Sequence, residues 1–267
     1  MMTRRRFGLT AGAAFASMAF GHACRLAGAA ADADARLTAR PKGGSTTTLK
    51  TGPIGMARGD RDGLIQMPTQ AAAGKLPLLL FLHGATQNGA GMLRRVGPPA
   101  EQAGVVVVAP DSKDVTWDAI RDGFGADVAH LNRILDYVFA HVDVDPERVA
   151  IGGFSDGATY ALSLGIANGD LFPRIAAFSP GFVISAVAHG RPRFFVSHGR
   201  SDQILPIDQC SRVIVPRLTS MGYAVTFREF DGRHEMPPDV AAEGLRWVAA
   251  SQTATRTVSL TRSSRIA

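Results

Sequence analysis

The chain has 267 residues, 46% hydrophobic and 19% charged, which supports one sizeable buried core and excludes a disordered or collagen-like protein. Only two cysteines, Cys24 and Cys210, are present, too few for a disulfide-stapled scaffold. The formal charge of +6 resides in the ends: Arg4, Arg5, Arg6, Arg25, Arg256, Arg262 and Arg265 lie in acid-free segments, and without them residues 32–250 stand at −1, so no nucleic-acid partner is expected.

The N-terminus carries Thr3, Arg4, Arg5, Arg6, Phe7, Gly8 and Leu9, then an Ala/Gly/Met/Phe run to Phe20 and the small-residue stretch 26–31. This resembles a twin-arginine export signal over residues 1–31, which implies export to the periplasm or beyond. Cleavage after Ala29 or Ala31 suits an A-x-A site. Lipidation at Cys24 is the rival route, although Gly21, His22 and Ala23 supply no Leu before it. No apolar run reads as a membrane span of the mature protein. Residues 251–267, rich in Ser, Thr and Arg, are expected to be a flexible basic tail.

Between the ends, residues 32–250 read as one catalytic domain of α/β class, in which apolar runs alternate with helical patterns. That alternation predicts a mainly parallel sheet with helices on both faces. The region from Ser45 to Pro68 supplies an antiparallel hairpin at the sheet edge. Strands follow at Leu76–Leu82, ending at His83 and Gly84, and at Val105–Ala109, ending at Pro110 and Asp111. A helix over Ala126–Val142 puts Val128, Leu131, Leu135 and Val138 on one face. Strands at Arg148–Phe154, Arg174–Phe178, Arg193–Val196 and Ala224–Phe230 come next, with helices at Gln209–Leu218 and Ala242–Ala250. Cys210, the only internal thiol if the signal is removed, is expected as a small hydrophobe on a helix.

In such sheets ligands collect beyond the carboxyl ends of the strands. The polar residues there are His83, Asp111, Ser155, Ser179, His198, Asp202, Asp231 and His234. Gly153, Phe154, Ser155, Asp156 and Gly157 form a G-x-S-x-G motif, with a β-branched strand before it and the helical run from Ala158 to Leu164 after it. Ser155 must sit on a strained strand-to-helix turn that exposes its hydroxyl. Side chains two positions either side would collide, hence the two glycines.

A serine hydroxyl is a weak nucleophile and needs a base that an acid orients. In the order nucleophile, acid, base, His234 alone among the seven histidines follows Asp202. Asp202 lies in the loop after the strand ending at His198, where a carboxylate can face the imidazole. Asp208 is better explained as a helix N-cap, and Asp231 as shaping the His234 turn. An oxyanion hole needs two converging backbone N–H groups: that of Asp156, and that of Ala85 after His83 and Gly84, with Thr86 as second choice. His83 itself is expected to be a structural hydrogen-bonding residue.

The segments 82–88, 144–155, 198–206 and 230–237 together resemble the α/β-hydrolase superfamily, specifically serine esterases of the phospholipase/carboxylesterase and polyhydroxybutyrate-depolymerase-like type. The resemblance implies Ser155 as nucleophile, Asp202 as acid and His234 as base, with no metal and no organic cofactor. Asp156 departs from the Gln or Ala such enzymes often carry, and its carboxylate would disfavour anionic substrates. Only a short Pro/Gly/Ala/His segment joins Phe178 to Arg193, leaving no room for a cap domain, so an open pocket for short to medium acyl esters is expected. A single internal thiol weighs against disulfide-bearing polyester depolymerases and feruloyl esterases. Other readings on the same fold are a serine peptidase or acyltransferase, and an exported protein that binds without catalysis.

Overall fold

Seven apolar residues in a row, Leu76 to Leu82, demand burial on both faces, and that strand lies inside an eight-stranded sheet. The computed structural model describes residues 35–44, 46–56, 62–69 and 74–251. The expected export signal at 1–31, Cys24 within it, and the basic tail beyond Ser251 lie outside the described residues.

The strands are β1 (Gly52–Pro53), β2 (Leu64–Gln66), β3 (Leu76–Leu82), β4 (Val106–Ala109), β5 (Val144–Phe154), β6 (Arg174–Phe178), β7 (Arg193–Gly199) and β8 (Val225–Phe230). The helices are α1 (Gly89–Ala103), α2 (Asp118–Arg121), α3 (Ala126–His141), α4 (Asp156–Ala167), α5 (Ser211–Ser220) and α6 (Pro238–Ala249). The order across the sheet is β1-β2-β4-β3-β5-β6-β7-β8. β3 to β8 run parallel, and the expected antiparallel hairpin, β1 and β2, extends the sheet at β4.

Because side chains alternate along a strand, the sheet feeds two cores. Leu78, Leu80 and Leu82 join Ile151, Ile175 and Val196 beneath α3, α4 and α5. Leu79 and Phe81 join Ala150, Phe178 and Phe195 beneath α1 and α6, where Met92, Val96, Val240 and Leu245 complete the layer. Helices therefore cover both faces, as the sequence predicts.

Several boundaries move. β5 begins at Val144 rather than Arg148, because Leu76 already pairs with Val144 before a register shift. α5 runs from Ser211 to Ser220, not from Gln209, and Cys210 is the buried residue just before it. Asp208 is not its N-cap. It pairs instead with Arg212 on the exposed side, at 2.8 Å. Residues 179–192, between β6 and β7, contain neither helix nor strand, so no cap domain sits there.

Candidate active site

The sheet ends its parallel strands at one edge, and three of those ends carry the strain of the fold. Thr86 after β3, Ser155 after β5 and Ser179 after β6 are the non-glycine residues with positive φ among the described residues, at 59°, 57° and 52°. Such strained backbone costs an L-residue on the order of 1–3 kcal/mol. Ser155 is held in it from both sides. Its N–H donates to the Phe178 carbonyl at 3.0 Å, and its own carbonyl accepts from the N–H groups of Ala158 and Thr159, each at 3.0 Å.

The two motif glycines are dictated by contact. A Cβ on Gly153 would overlap the carbonyl of Gly157, and a Cβ on Gly157 would overlap the carbonyl oxygens of Leu82 and His83. α4 thus starts flush against the end of β3, and only hydrogen atoms fit between.

Ser155, His234 and Asp202 form one hydrogen-bonded chain. His234 lies between β8 and α6, and its Nδ1 donates to Asp202 Oδ2 at 2.7 Å. A carboxylate only accepts, so that proton belongs to Nδ1. Nε2, 2.9 Å from Ser155 Oγ, is left to accept from the hydroxyl. The Asp202 side chain is fully buried, and its Oδ1 accepts from the N–H groups of Ile204 (2.9 Å) and Leu205 (2.8 Å). The other two acids are elsewhere: the Asp208 and Asp231 side chains are 77% and 91% exposed, bound to Arg212 and Arg200.

His83 stands at the end of β3 with a different task. Its Nδ1 donates to the Gly84 carbonyl at 2.8 Å, its Nε2 accepts from the Ser112 N–H at 3.0 Å, and its carbonyl accepts from the Trp117 indole at 2.8 Å. Burial lowers its pKa and keeps it neutral, a structural role as expected.

The loop carrying the second expected oxyanion donor lies directly beside the nucleophile. A Cβ on Gly84 would be 3.3 Å from the Ser155 Cβ. Thr86 is taken out of contention, because its N–H donates to the Val115 carbonyl at 2.7 Å. Asp156 sits at the first position of α4, where a helical N–H has no intrahelical partner. Its carboxylate accepts from Thr116 Oγ at 2.6 Å, which ties the β4–α2 loop to the site.

Two contributors, Phe154 and Thr116, were not legible as site residues, and a third, His198, was legible only as a strand-end candidate without a role. Phe154 packs its ring on the His234 imidazole, with centroids 4.9 Å apart. Thr116 holds the Asp156 carboxylate. His198, at the end of β7, places Nε2 3.1 Å from Asp202 Oδ2. Sequence order sets His198 aside as a base because it precedes the acid. Its position four residues before Asp202 is the signal that could have marked it as the acid's neighbour. Among the described residues no group of His, Cys, Asp and Glu has the arrangement of a metal site.

A parallel-sheet fold with a strained serine between β5 and α4, wired to a histidine and a buried carboxylate, defines a class: this is the α/β-hydrolase fold, and the chain is similar to serine esterases that share it. The phospholipase/carboxylesterase family model matches residues 111–243. Mouse S-formylglutathione hydrolase is 28% identical over 141 residues, covering 43% of this chain and 50% of that protein. A putative esterase, NocK, of Nocardia uniformis subsp. tsuyamanensis is 30% identical over 176 residues, covering 63% and 45%. The chain thus spans about half the length of the curated relatives it matches. Among solved structures, the esterase PE8 superposes with TM-score 0.57 at 21% identity, over 75% of this chain and 98% of that one. The Bacillus cereus carboxylesterase gives 0.55 at 18% identity, over 69% and 91%.

Proposed function

We propose that the protein is an exported serine hydrolase that cleaves carboxylic esters of short to medium acyl chain through an acyl-enzyme. The observation that carries this reading is the unbroken chain from Ser155 Oγ through His234 to Asp202 Oδ2, at 2.9 and 2.7 Å.

Ser155 Oγ attacks the ester carbonyl as its proton passes to His234 Nε2. The new C–O bond leaves the carbonyl oxygen negative, and the N–H groups of Ala85 and Asp156 stabilise it there. Asp202 keeps the Nδ1 proton in place and offsets the charge of the imidazolium. His234 then returns its proton to the leaving alkoxide as the tetrahedral centre collapses. Water, deprotonated by His234 in its turn, attacks the acyl-Ser155 ester and releases the acid. Without a helix or strand in 179–192, the site stays open to soluble substrates.

A second reading, thioester hydrolysis, is favoured by the S-formylglutathione hydrolases among the relatives. The same nucleophile, base and oxyanion donors serve it, because a thiolate leaves more readily than an alkoxide.

Purified protein treated with a fluorophosphonate probe and a panel of nitrophenyl esters and acyl thioesters tests both. Labelling and turnover should vanish in Ser155→Ala, and turnover should fall by at least about 10⁴-fold in His234→Ala, with circular dichroism unchanged. Hydrolysis by Ser155→Ala at the parent rate would place the chemistry elsewhere. For export, Arg4→Lys with Arg5→Lys should trap the precursor in the cytoplasm; undiminished secretion refutes that part.

A further inference from the structure

The acid of the site is held by two histidines. Asp202 Oδ2 receives His234 Nδ1 at 2.7 Å on one side and faces His198 Nε2 at 3.1 Å on the other. His198 is fully buried, and its Nε2 also lies 2.7 Å from the Leu205 carbonyl. Both neighbours of Nε2 are pure acceptors, a carboxylate and a carbonyl, so Nε2 must carry the proton and share it between them. On the far side of the ring, Nδ1 is 2.7 Å from Ser211 Oγ, a hydroxyl free to donate to it. One neutral tautomer therefore satisfies every contact of the ring.

From this geometry we infer that His198 is a positioning residue for catalysis: as a neutral Nε2–H donor it fixes Asp202 Oδ2 in the orientation that His234 requires. The inference rests on the proposed assignment of Ser155, His234 and Asp202. The carboxylate needs such a partner because it sits in the interior, where a lone pair without a donor is costly. Oδ1 is already held by the amides of Ile204 and Leu205, while Oδ2 would otherwise have His234 alone. Since the Leu205 carbonyl accepts from His198 Nε2–H while the Leu205 N–H donates to Asp202 Oδ1, His198 also ties the acid to the loop that carries it. Ser211, at the head of α5, anchors the ring from behind.

The surrounding charges agree with a neutral ring. The titratable groups acting on His198 are Asp202 and His234, and burial outweighs the pull of the carboxylate, so its pKa is lowered. Cys210, next to Ser211, is a thiol pushed up to about 11 by burial and carries no charge at neutral pH.

A donor on Oδ2 spreads the negative charge that also holds the His234 imidazolium. Removing it has two consequences that a loss of packing alone would not produce together. Asp202 loses its fixed orientation, and the charge that the His234 imidazolium feels changes with it, so the acid limb of the pH profile moves. His198→Leu removes the donor, whereas His198→Gln places an amide N–H where Nε2 stood.

The test measures kcat, KM and the pH dependence of kcat/KM with nitrophenyl acetate for both variants. His198→Leu should lower kcat by about tenfold or more with KM nearly unchanged. Its acid-limb midpoint should shift by about half a pH unit or more. His198→Gln should recover most of both. In the wild-type protein, ¹⁵N NMR of labelled histidine should show His198 protonated on Nε2 only and not titrating between pH 5 and 8, a result independent of whether any variant folds. The inference is overturned by a folded His198→Leu with wild-type kcat and midpoint, by a folded His198→Gln as impaired as His198→Leu, or by an Nδ1–H or titrating His198. If Ser155→Ala and His234→Ala themselves keep full activity, the underlying site assignment has failed instead.

Discussion

The Phe154 ring lies against the imidazole of His234, centroids 4.9 Å apart and planes inclined by 38°, so the residue just before the nucleophile forms the wall behind the base. Arg95 places its guanidinium over the same ring, 5.7 Å from its centroid. The G-x-S-x-G motif thus fixes both partners of the proton transfer: the serine by its backbone and the histidine through the side chain at x.

Phe154→Leu should accordingly act on catalysis more than on binding. Losing the aromatic contact costs about 0.5–1.5 kcal/mol, and the freed imidazole samples rotamers that do not reach Ser155. A fall in kcat of about three- to tenfold is expected with little change in KM. Stopped-flow acylation with a nitrophenyl ester, alongside thermal melting to subtract lost stability, checks it. An unchanged acylation rate would remove Phe154 from the list of positioning groups.

Asp156 puts a carboxylate one residue from the nucleophile, held by Thr116 at 2.6 Å. Its backbone N–H is the part that the proposed oxyanion hole uses, so Asp156→Asn should leave hydrolysis of neutral esters close to the parent rate. For an ester whose acyl chain ends in a carboxylate, kcat/KM should rise by about three- to tenfold, as expected for one like charge removed near a half-exposed site. The ratio of the two rates, compared at low and high salt, is the measurement. An equal change for neutral and anionic esters would mean that the charge does not select substrate.

What the sequence disclosed, and what it hid, follows from where the controlling forces act. The central strands could be read because parallel strands covered on both faces appear as apolar runs such as Leu76–Leu82, whereas the edge strand β8 carries Thr226, Arg228 and Glu229 among its apolar residues. α1 could not. Gly89, Gly91, Gly97, Pro98 and Pro99 all argue against a helix, and only the fold supplies what overrides them. Asn88 caps its start by accepting from the Gly91 N–H at 2.8 Å, Gly104 closes its end at φ 66°, and Met92, Val96 and Ala100 are buried against α6 and the sheet. The start of α6 was misplaced at Ala242 for a related reason. Pro237 and Pro238 read as a break, yet Pro fits the first helical turn, where its missing N–H would have had no partner. At the site, the G-x-S-x-G motif between strand and helix brought Ser155 forward, and strand-end placement with chain order brought Asp202 and His234. Ala85 ranks before Thr86 in the sequence already, but what occupies the Thr86 N–H, the Val115 carbonyl, comes from a loop that sequence spacing does not relate to it.

Gly157 offers a test of the close approach between α4 and β3. A methyl group there would overlap the carbonyl oxygens of Leu82 and His83, which are backbone atoms and cannot swing aside. Gly157→Ala should therefore lower stability by about 1–3 kcal/mol or more, and in any protein that still folds it should displace the Ser155 turn and abolish fluorophosphonate labelling. By contrast Gly91→Ala, whose Cβ would meet only Asn88 Oδ1 at 3.4 Å and the Arg94 guanidinium at 3.7 Å, should be tolerated with labelling intact. Chemical denaturation and probe labelling of the two variants in parallel decide the matter. A stable, fully labelled Gly157→Ala would show that the elbow has more room than its contacts imply.

The side of the sheet next to His234 is braced by charge, and acid should release it. Glu229 on β8 binds Arg212 of α5 at 2.8 Å and Arg200 after β7 at 3.1 Å, and these guanidinium groups lower its pKa to about 2 from an ordinary 4.5. A carboxylate whose folded pKa is depressed contributes stability that is fully present above its unfolded pKa and is lost as pH falls through the folded one. The contribution from Glu229 should therefore decline between about pH 4.5 and about pH 2. Because the cluster faces solvent, the effect should be modest and weaken in high salt. Glu229→Gln removes the titrating group, so the melting temperature of the variant, plotted against pH, should fall less steeply than the parent's across that window and lie below it near neutrality. Parallel curves across the window would show that the bracing does not depend on the charge of Glu229.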